Sequence, residues 1–473
     1  MRIGSWPRLL WTLDWILKGG GSFFKFHHLQ YYRPALPCNV SISKLARNSV
    51  SITRRPGIIN FPKKLNHRGL RESKIHIHSE LFVLVDNSML QSATMSACVS
   101  EANSTVSSGL HVALLRDSKQ LPEMFIESDH NHRPSPDSRC LENPNFDIPV
   151  VDISYLTTGD ANQRAKAVAA AAKACQTWGF FQVQNHGIDQ MLTKRCEVEA
   201  HRLFQLPLHV KERCHRAPGT SFGYGANTWI NQKVMHWAES FHMQLNPTSN
   251  ILEMATKLFP DESSSHLFSS TVEEYMKSVE NLATQVLELL TEGLGLERNC
   301  FSQYLQRERM TSMRFNFYPP CPEPSLAIGL RAHTDPHLLT ILHQDSVPGL
   351  QVQMGDKWVT VKPRLDCFVV NIGDLFQILS NTRYKSVLHR AFVNSESQRL
   401  SLACFLNPPL HATVVAPPEL ITPECPQVYR PFTWLEYLKN AYLYHPTAGN
   451  ERHERFYLKS MVDVPAVAPS SVH

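Results

Sequence analysis

The chain contains no CxxC pair, no regular cysteine spacing and no apolar run long enough to cross a bilayer. Its 11 cysteines stand singly along 473 residues, which argues against a structural zinc site and a disulfide framework and fits a reducing compartment. The longest N-terminal apolar piece, Leu9 to Leu17, is broken by Asp14 and falls well short of the ~20 residues a membrane helix needs. No small-residue cleavage pattern follows it, so a secretory signal is disfavoured. No internal repeat is apparent. Acidic side chains are scarce before Glu72, and residues 1–100 hold 14 Lys+Arg against 4 Asp+Glu, leaving 33 against 38 in the remainder. The overall +5 therefore belongs to the first hundred residues. The rest is mildly acidic and offers no basic face for nucleic acid.

What is present is ordinary for a soluble globular protein: 42% hydrophobic, 19% charged, with ample length for a large core. Residues 1–145 show no sustained period and are rich in Ser, Arg, Lys, Asn and His. A disordered extension is expected there, ending in the linker His130–Ser138. An organellar transit peptide, or sequence upstream of a start at Met89 or Met95, are the other readings. From Ile148 the texture changes. IPVVDISYL opens with a short β-branched strand, Ala161–Trp178 is an Ala-rich helix, and GFFQVQNHG is a strand ending in a Gly turn. Val272, Met276, Val279, Ala283, Val286 and Leu290 recur at helical spacing, with Gly293 and Gly295 as stop signals. After Met313 the period becomes two. MRFNFY, LLTIL, GLQVQ, WVTV, CFVVN, FQILS, SVLHRAFV and RLSLACFL read as eight strands, the number of a jelly roll.

The fold class expected is α+β: a double-stranded β-helix (jelly-roll) core, a helical N-terminal domain packed around it, and a disordered N-terminal extension. The corresponding division is 1–145 extension, 146–255 N-terminal domain, 256–306 helical connection, 307–410 jelly roll, and 411–473 C-terminal helical segment and tail.

Alternation along MRFNFY puts Met313, Phe315 and Phe317 on one face and Arg314, Asn316 and Tyr318 on the other. Arg399 and Ser401 share a face of RLSLACFL, ten and twelve residues beyond His389. Two copies of His-x-Asp occur nearby, His333-Thr334-Asp335 and His343-Gln344-Asp345. Two histidines and a carboxylate with open positions form the facial triad of non-haem iron sites, and His-x-Asp supplies two ligands from one extended segment. His389, mid-strand in an apolar setting, can be the third. The first copy, at a strand mouth, is favoured. The second follows LLTIL into the turn Ser346–Gly349, where Asp345 can satisfy local N–H groups. Any one of these residues alone is more often structural than functional, with a metal role for a lone His-x-Asp at roughly one in ten; the conjunction on successive strands is more specific than its parts.

The strings Asn316-Phe317-Tyr318-Pro319-Pro320-Cys321, His333-Thr334-Asp335, Gly349-Leu350-Gln351-Val352, Asn371-Ile372-Gly373-Asp374, His389-Arg390 and Arg399-Leu400-Ser401 resemble the signature of plant 2-oxoglutarate- and Fe(II)-dependent dioxygenases. Ile148–Asp152 and Trp178–Gly187 resemble that family's N-terminal half, and the resemblance spans about Leu121 to Ala448. Within it, LLTILHQDSVPGLQV, Gly373–Asn394 and Val428–Leu438 are most similar to gibberellin 3-oxidases, although Phe317 stands where Tyr is commoner.

The resemblance implies Fe(2+) on His333, Asp335 and His389. It also implies 2-oxoglutarate held by Arg399 and Ser401 with Tyr318 and Asn316 nearby, O2 as oxidant, ascorbate as reductant, and 3-beta-hydroxylation of a gibberellin precursor. Arg314 is a candidate anchor for the acid group of that gibberellin-like diterpenoid. The alternatives are a gibberellin 20-oxidase or 2-oxidase, the same chemistry on a flavonoid or other specialised metabolite, or a catalytically silent jelly-roll binding protein. The expected form is a monomer, cytoplasmic or also nuclear, with a small-molecule substrate and neither nucleic-acid nor membrane partners.

Overall fold

The computed structural model describes residues 11–18, 21–28, 112–116, 118–128, 133, 147–216, 222–225, 234–245, 249–305, 310–443 and 452–458. The chain forms two units, Met1–Asn87 and Ser88–His473. In the first, β1 (Trp11–Lys18) and β2 (Gly21–His28) pair antiparallel, from Trp11 opposite His28 to Lys18 opposite Gly21. The Gly19-Gly20 connection has the composition favoured in tight hairpins, a signal that a search for length and helical period passes over.

The second unit is a sandwich with helices on one face. Its strands are β3 (Val150–Asp152), β4 (Phe180–Gln184), β5 (Gly223–Tyr224), β6 (Glu239–Gln244), β7 (Ser312–Tyr318) and β8 (Leu330–His333). There follow β9 (Leu339–Gln344), β10 (Leu350–Met354), β11 (Lys357–Thr360), β12 (Phe368–Ile372), β13 (His389–Ala391) and β14 (Arg399–Leu406). They form an eight-stranded sheet in the order β3-β4-β12-β9-β14-β7-β6-β5 and a four-stranded sheet in the order β11-β10-β13-β8. Because β3 to β6 extend the larger sheet, the N-terminal half is not a separate helical layer.

Apart from the single turns Tyr155–Thr158 and Leu208–Lys211, the helices are α1 (Ala161–Thr177), α2 (Gln190–Gln205), α3 (Ser249–Leu258), α4 (Glu262–Gly293), α5 (Asp374–Leu379) and α6 (Trp434–Leu443). Asp160 caps α1 by accepting from the Asn162 and Gln163 amides. Helix α4 begins ten residues before the apolar period does. Its Ser-rich first turns carry no hydrophobic repeat, but Asp261 accepts from Ser264 N and sets the start. The run FQILS, expected as a strand, lies mostly in α5. A five-residue apolar run fits either state. Here the Phe376 and Gln377 amides donate to Gly373 O and close a helical turn. Gly373 is required because a Cβ there would lie 1.9 Å from His337 O. Strands β5, β6 and β8 had no counterpart among the expected strands.

One large core lies between the helices and the outer face of the larger sheet. Met313, Phe315, Phe317, Leu339, Ile341, Val370, Leu400, Leu402 and Cys404 meet Val272, Met276, Val279, Val286 and Leu290 of α4 there. Burial of each such large side chain contributes about 1.5–3 kcal/mol. The inner face of the same strands is polar and faces the site.

Residues 112–128, assigned by sequence to the extension, are packed. Val112, Leu121 and Phe125 are buried with Trp237 and Tyr318, and Phe125 meets Trp237 edge-on at 5.0 Å. Arg116 pairs with Glu239, and buried Glu127 pairs with Arg331. Aperiodic single 3-10 turns leave no pattern for sequence reasoning to find. Among the described residues, no helix is long and apolar enough to cross a membrane.

Candidate active site

His333 ends β8 and His389 begins β13, and the two are directly paired across the smaller sheet. Their rings lie 4.2 Å apart. Asp335 follows β8 in the connection to β9. One donor atom from each of His333, Asp335 and His389 falls within 4.8 Å of the others, the only such cluster among the described residues. His333 Nε2 is 3.5 Å and His389 Nε2 3.7 Å from Asp335 Oδ1.

The surrounding hydrogen bonds leave these three atoms free for a metal. His333 Nδ1 lies 2.7 Å from Arg331 O, and His389 Nδ1 lies 3.2 Å from Val387 O. A carbonyl only accepts, so each Nδ1 carries the proton and each Nε2 presents its lone pair. Burial and the neighbouring His333 push His389 down to about 4, although Asp335 opposes this, so its imidazole is neutral at physiological pH. Asp335 Oδ2 accepts from Thr340 Oγ1 at 2.5 Å and Asn371 Nδ2 at 2.9 Å, which turns Oδ1 toward the imidazoles. Burial would raise the Asp335 carboxyl, but His389 and His333 outweigh it and hold it well below the usual carboxylate range. Two imidazoles and one oriented carboxylate are the donor set of a non-haem iron site, and these residues fit that ion.

Asp374 braces the same region from the start of α5. It is wholly buried and accepts from Tyr437 OH and Ser386 Oγ at 2.7 Å each, and from Thr334 Oγ1 at 3.2 Å. Thr334 is the middle residue of the His-x-Asp, so α6 stiffens the metal-binding loop through one carboxylate.

The larger sheet supplies the other half of the site. Arg399 lies opposite Tyr318, and Ser401 opposite Asn316, on β14 and β7. The Arg399 guanidinium is buried, sits 5.2 Å over the Tyr318 ring, and donates to Val347 O at 3.2 Å and Gln344 Oε1 at 3.0 Å. No carboxylate pairs with it among the described residues. A buried guanidinium with no directly paired carboxylate is an unusual state, although Asp345 lies near enough to feel its charge, and it suits the far carboxylate of a dicarboxylic acid. Gly349 is needed here because a Cβ would lie 2.5 Å from Arg399 Cδ. Asn316 Nδ2 donates to Ser401 Oγ at 3.4 Å. Arg314, on the same face of β7, donates to Ser240 Oγ at 3.2 Å, and its Nε has no partner. Burial and nearby Arg216 push it down to about 10, so it stays cationic. It lines a pocket with His236, Ala238, Asn316, Tyr318 and Leu330.

The second His-x-Asp is elsewhere. Even-numbered residues of β9 face inward, as Thr340 does toward Asp335. Odd-numbered ones face the helices, as Leu339 and Ile341 do in the large core. His343 is therefore within β9 rather than after it, and pairs with Glu197 of α2 at 2.7 Å. Asp345 accepts from the Val347 amide at 2.9 Å, the local turn role expected of it. The bracing residues Asn371, Thr340 and Asp374 were not identified by sequence reasoning, although Asn371 and Asp374 lie in a quoted signature string.

Residues 310–408 match the 2OG-Fe(II) oxygenase superfamily, and residues 148–262 match the N-terminal region described as non-haem dioxygenase in morphine synthesis. The chain is similar to gibberellin 20 oxidase 2 of Oryza sativa subsp. japonica, with 38% identity covering 69% of this chain and 82% of the relative. It is also similar to gibberellin 20 oxidase 3 of Arabidopsis thaliana, with 34% identity covering 73% and 92%. Among solved structures it resembles JOX2 in complex with 2OG, Fe and JA, with 32% identity, a TM-score of 0.61, and 70% and 93% of the two chains covered. It resembles the rice dioxygenase for auxin oxidation at 28% identity, with a TM-score of 0.56 and coverage of 66% and 100%. Three candidate metal donors and a buried guanidinium on facing sheets thus coincide with relatives of one chemistry along most of their length, and the chain belongs to the 2OG-Fe(II) oxygenases and is a dioxygenase.

Proposed function

We propose that this dioxygenase oxidises a gibberellin-type tetracyclic acid, with Fe(2+) held by His333, Asp335 and His389. In this reading Arg399 and Ser401 take the distal carboxylate of 2-oxoglutarate, beside Tyr318 and Asn316. The observation that carries it is the buried Arg399, which forms no ion pair with a carboxylate among the described residues, on the sheet opposite the three metal donors. When bound, iron and 2-oxoglutarate together with O2 supply the oxidising chemistry: 2-oxoglutarate leaves as succinate and CO2, and one oxygen atom enters a substrate C–H bond.

The chain's own residues bind, orient and exclude water. Asn371 and Thr340 fix the Asp335 carboxylate. The Tyr318 ring and Gly349 confine the Arg399 fork. Arg314 offers a fixed cation to the substrate's acid group, with Ala238 and Leu330 beside it on the same narrow cleft. The substrate class rests on the motif strings around β9 and α5 and on the names of the relatives. Those strings favour 3-beta-hydroxylation. The relatives, gibberellin 20 oxidases at 34–38% identity, favour oxidation at carbon 20 as a second reading.

The test is incubation of the purified chain with Fe(II), ascorbate, 2-oxoglutarate and a panel of gibberellin precursors, with products identified by mass spectrometry. A 3-beta-hydroxylated product supports the first position and successive oxidation at carbon 20 the second. Succinate coupled only to flavonoids would overturn the substrate class.

A further inference from the structure

Gln344 is the middle residue of the second His-x-Asp, and neither the metal cluster nor the turn uses it. It lies directly opposite Ser401 across β9 and β14, on the inward face that also carries Arg399. Its side chain is 2% exposed. Oε1 lies 3.0 Å from Arg399 Nη2, and a guanidinium only donates, so the amide orientation is dictated: oxygen toward Arg399, nitrogen away from it. That nitrogen, Nε2, is buried and has no hydrogen-bond partner among the described residues.

We propose that Gln344 is a further residue of the 2-oxoglutarate carboxylate site, steering the Arg399 fork through Oε1 and donating from Nε2 to the bound carboxylate. The proposal rests on the assignment of Arg399 and Ser401 to that carboxylate. A carboxylate accepts at about four lone-pair positions. Arg399 has already committed Nε to Val347 O and part of Nη2 to Gln344, so what remains of its fork and the Ser401 hydroxyl leave room for another donor. A buried amide N–H left unpaired in the ligand-free protein is unfavourable, and an anion at Arg399 removes that cost. With Gly349 against one side of the guanidinium and Tyr318 beneath it, Gln344 fixes the rotation of the fork that those contacts leave open.

The test compares two acids that share one head group. 2-Oxopentanoate is 2-oxoglutarate with a methyl group in place of the distal carboxylate. Binding of each to the full-length, Mn(II)-loaded chain is measured by titration calorimetry in the absence of turnover, for wild type, Gln344→Met and Gln344→Glu. Met keeps the size and removes both polar atoms. Glu keeps the acceptor for Arg399 and replaces the donor with an anion, and because it stays paired it serves if the Met variant does not fold. Both variants should weaken 2-oxoglutarate by roughly 10- to 100-fold, the loss of a hydrogen bond to a charged group, and leave 2-oxopentanoate within about twofold. Equal weakening of both acids, or no change in either, would overturn the role of Gln344. A wild-type chain that binds 2-oxoglutarate no better than 2-oxopentanoate would overturn the carboxylate site itself.

Discussion

The two His-x-Asp copies make opposite demands on a single substitution, and His343→Ala against His389→Ala separates them. His343 is 3% exposed, faces α2, and pairs with Glu197 at 2.7 Å. Removing the imidazole leaves the Glu197 carboxylate, 13% exposed, with only Lys194 at 2.8 Å. Breaking a buried pair by removing one partner costs about 3–5 kcal/mol, and the retained Lys194 puts the expected loss near ~3 kcal/mol. Metal affinity should not change, because the inward face of β9 is untouched. His389→Ala has the reverse signature. It removes one of three donors and abolishes turnover, while relieving the metal-free protein of two imidazoles packed 4.2 Å apart, so stability without metal should change by less than about 1 kcal/mol. Urea unfolding of the metal-free variants gives the first quantity and anaerobic Fe(II) titration the second. A His343→Ala variant that loses tenfold or more in iron affinity at unchanged stability would refute the assignment of the two copies.

Asn371→Ala should lower metal affinity by about 10- to 100-fold through loss of carboxylate orientation, read by the same titration, with the fold unchanged by circular dichroism. Arg314→Gln should raise KM for the gibberellin substrate while substrate-free decarboxylation of 2-oxoglutarate stays at the wild-type rate; a parallel fall in both would argue for a structural role. Glu127→Gln, which neutralises the carboxylate paired with Arg331, should lower kcat more than it raises KM, because the Arg331 carbonyl orients His333. Hydrogen bonding from His343 draws Glu197 down to about 2 from 4.5 against its burial, so its contribution is present above pH 4.5 and is lost as pH falls from 4.5 toward 2. Unfolding midpoints across that window should fall less steeply for His343→Ala than for wild type.

Period-two alternation made Arg314, Asn316 and Tyr318 legible as one polar face, and Arg399 and Ser401 as another, because alternation is local. What the sequence does not carry is which strand lies opposite which. The pairing of His333 with His389, and of Ser401 with both Asn316 and Gln344, depends on register across 56 to 85 residues of chain, and no spacing rule encodes it. Gln344 was overlooked for that reason, and because the motif around it read as a turn following the strand. FQILS failed for a different one: a short apolar run has no period to decide it, and the close approach of Gly373 to His337 O is visible only in three dimensions. The packing of residues 112–128 was illegible because it depends on single anchors, Arg116, Phe125 and Glu127, rather than on a repeat.

The division of labour between the two sheets has a consequence for selectivity. In the proposed assignment the histidine donors stand on the smaller sheet and Arg399 and Ser401 on the larger, so the spacing of the sandwich, typically about 10 Å between stacked sheets, would work as a caliper for the cosubstrate. A keto acid of the right length bridges both layers. One methylene more or fewer would be measured against the packed core behind the larger sheet, which would make chain-length discrimination a property of the sandwich rather than of any single contact.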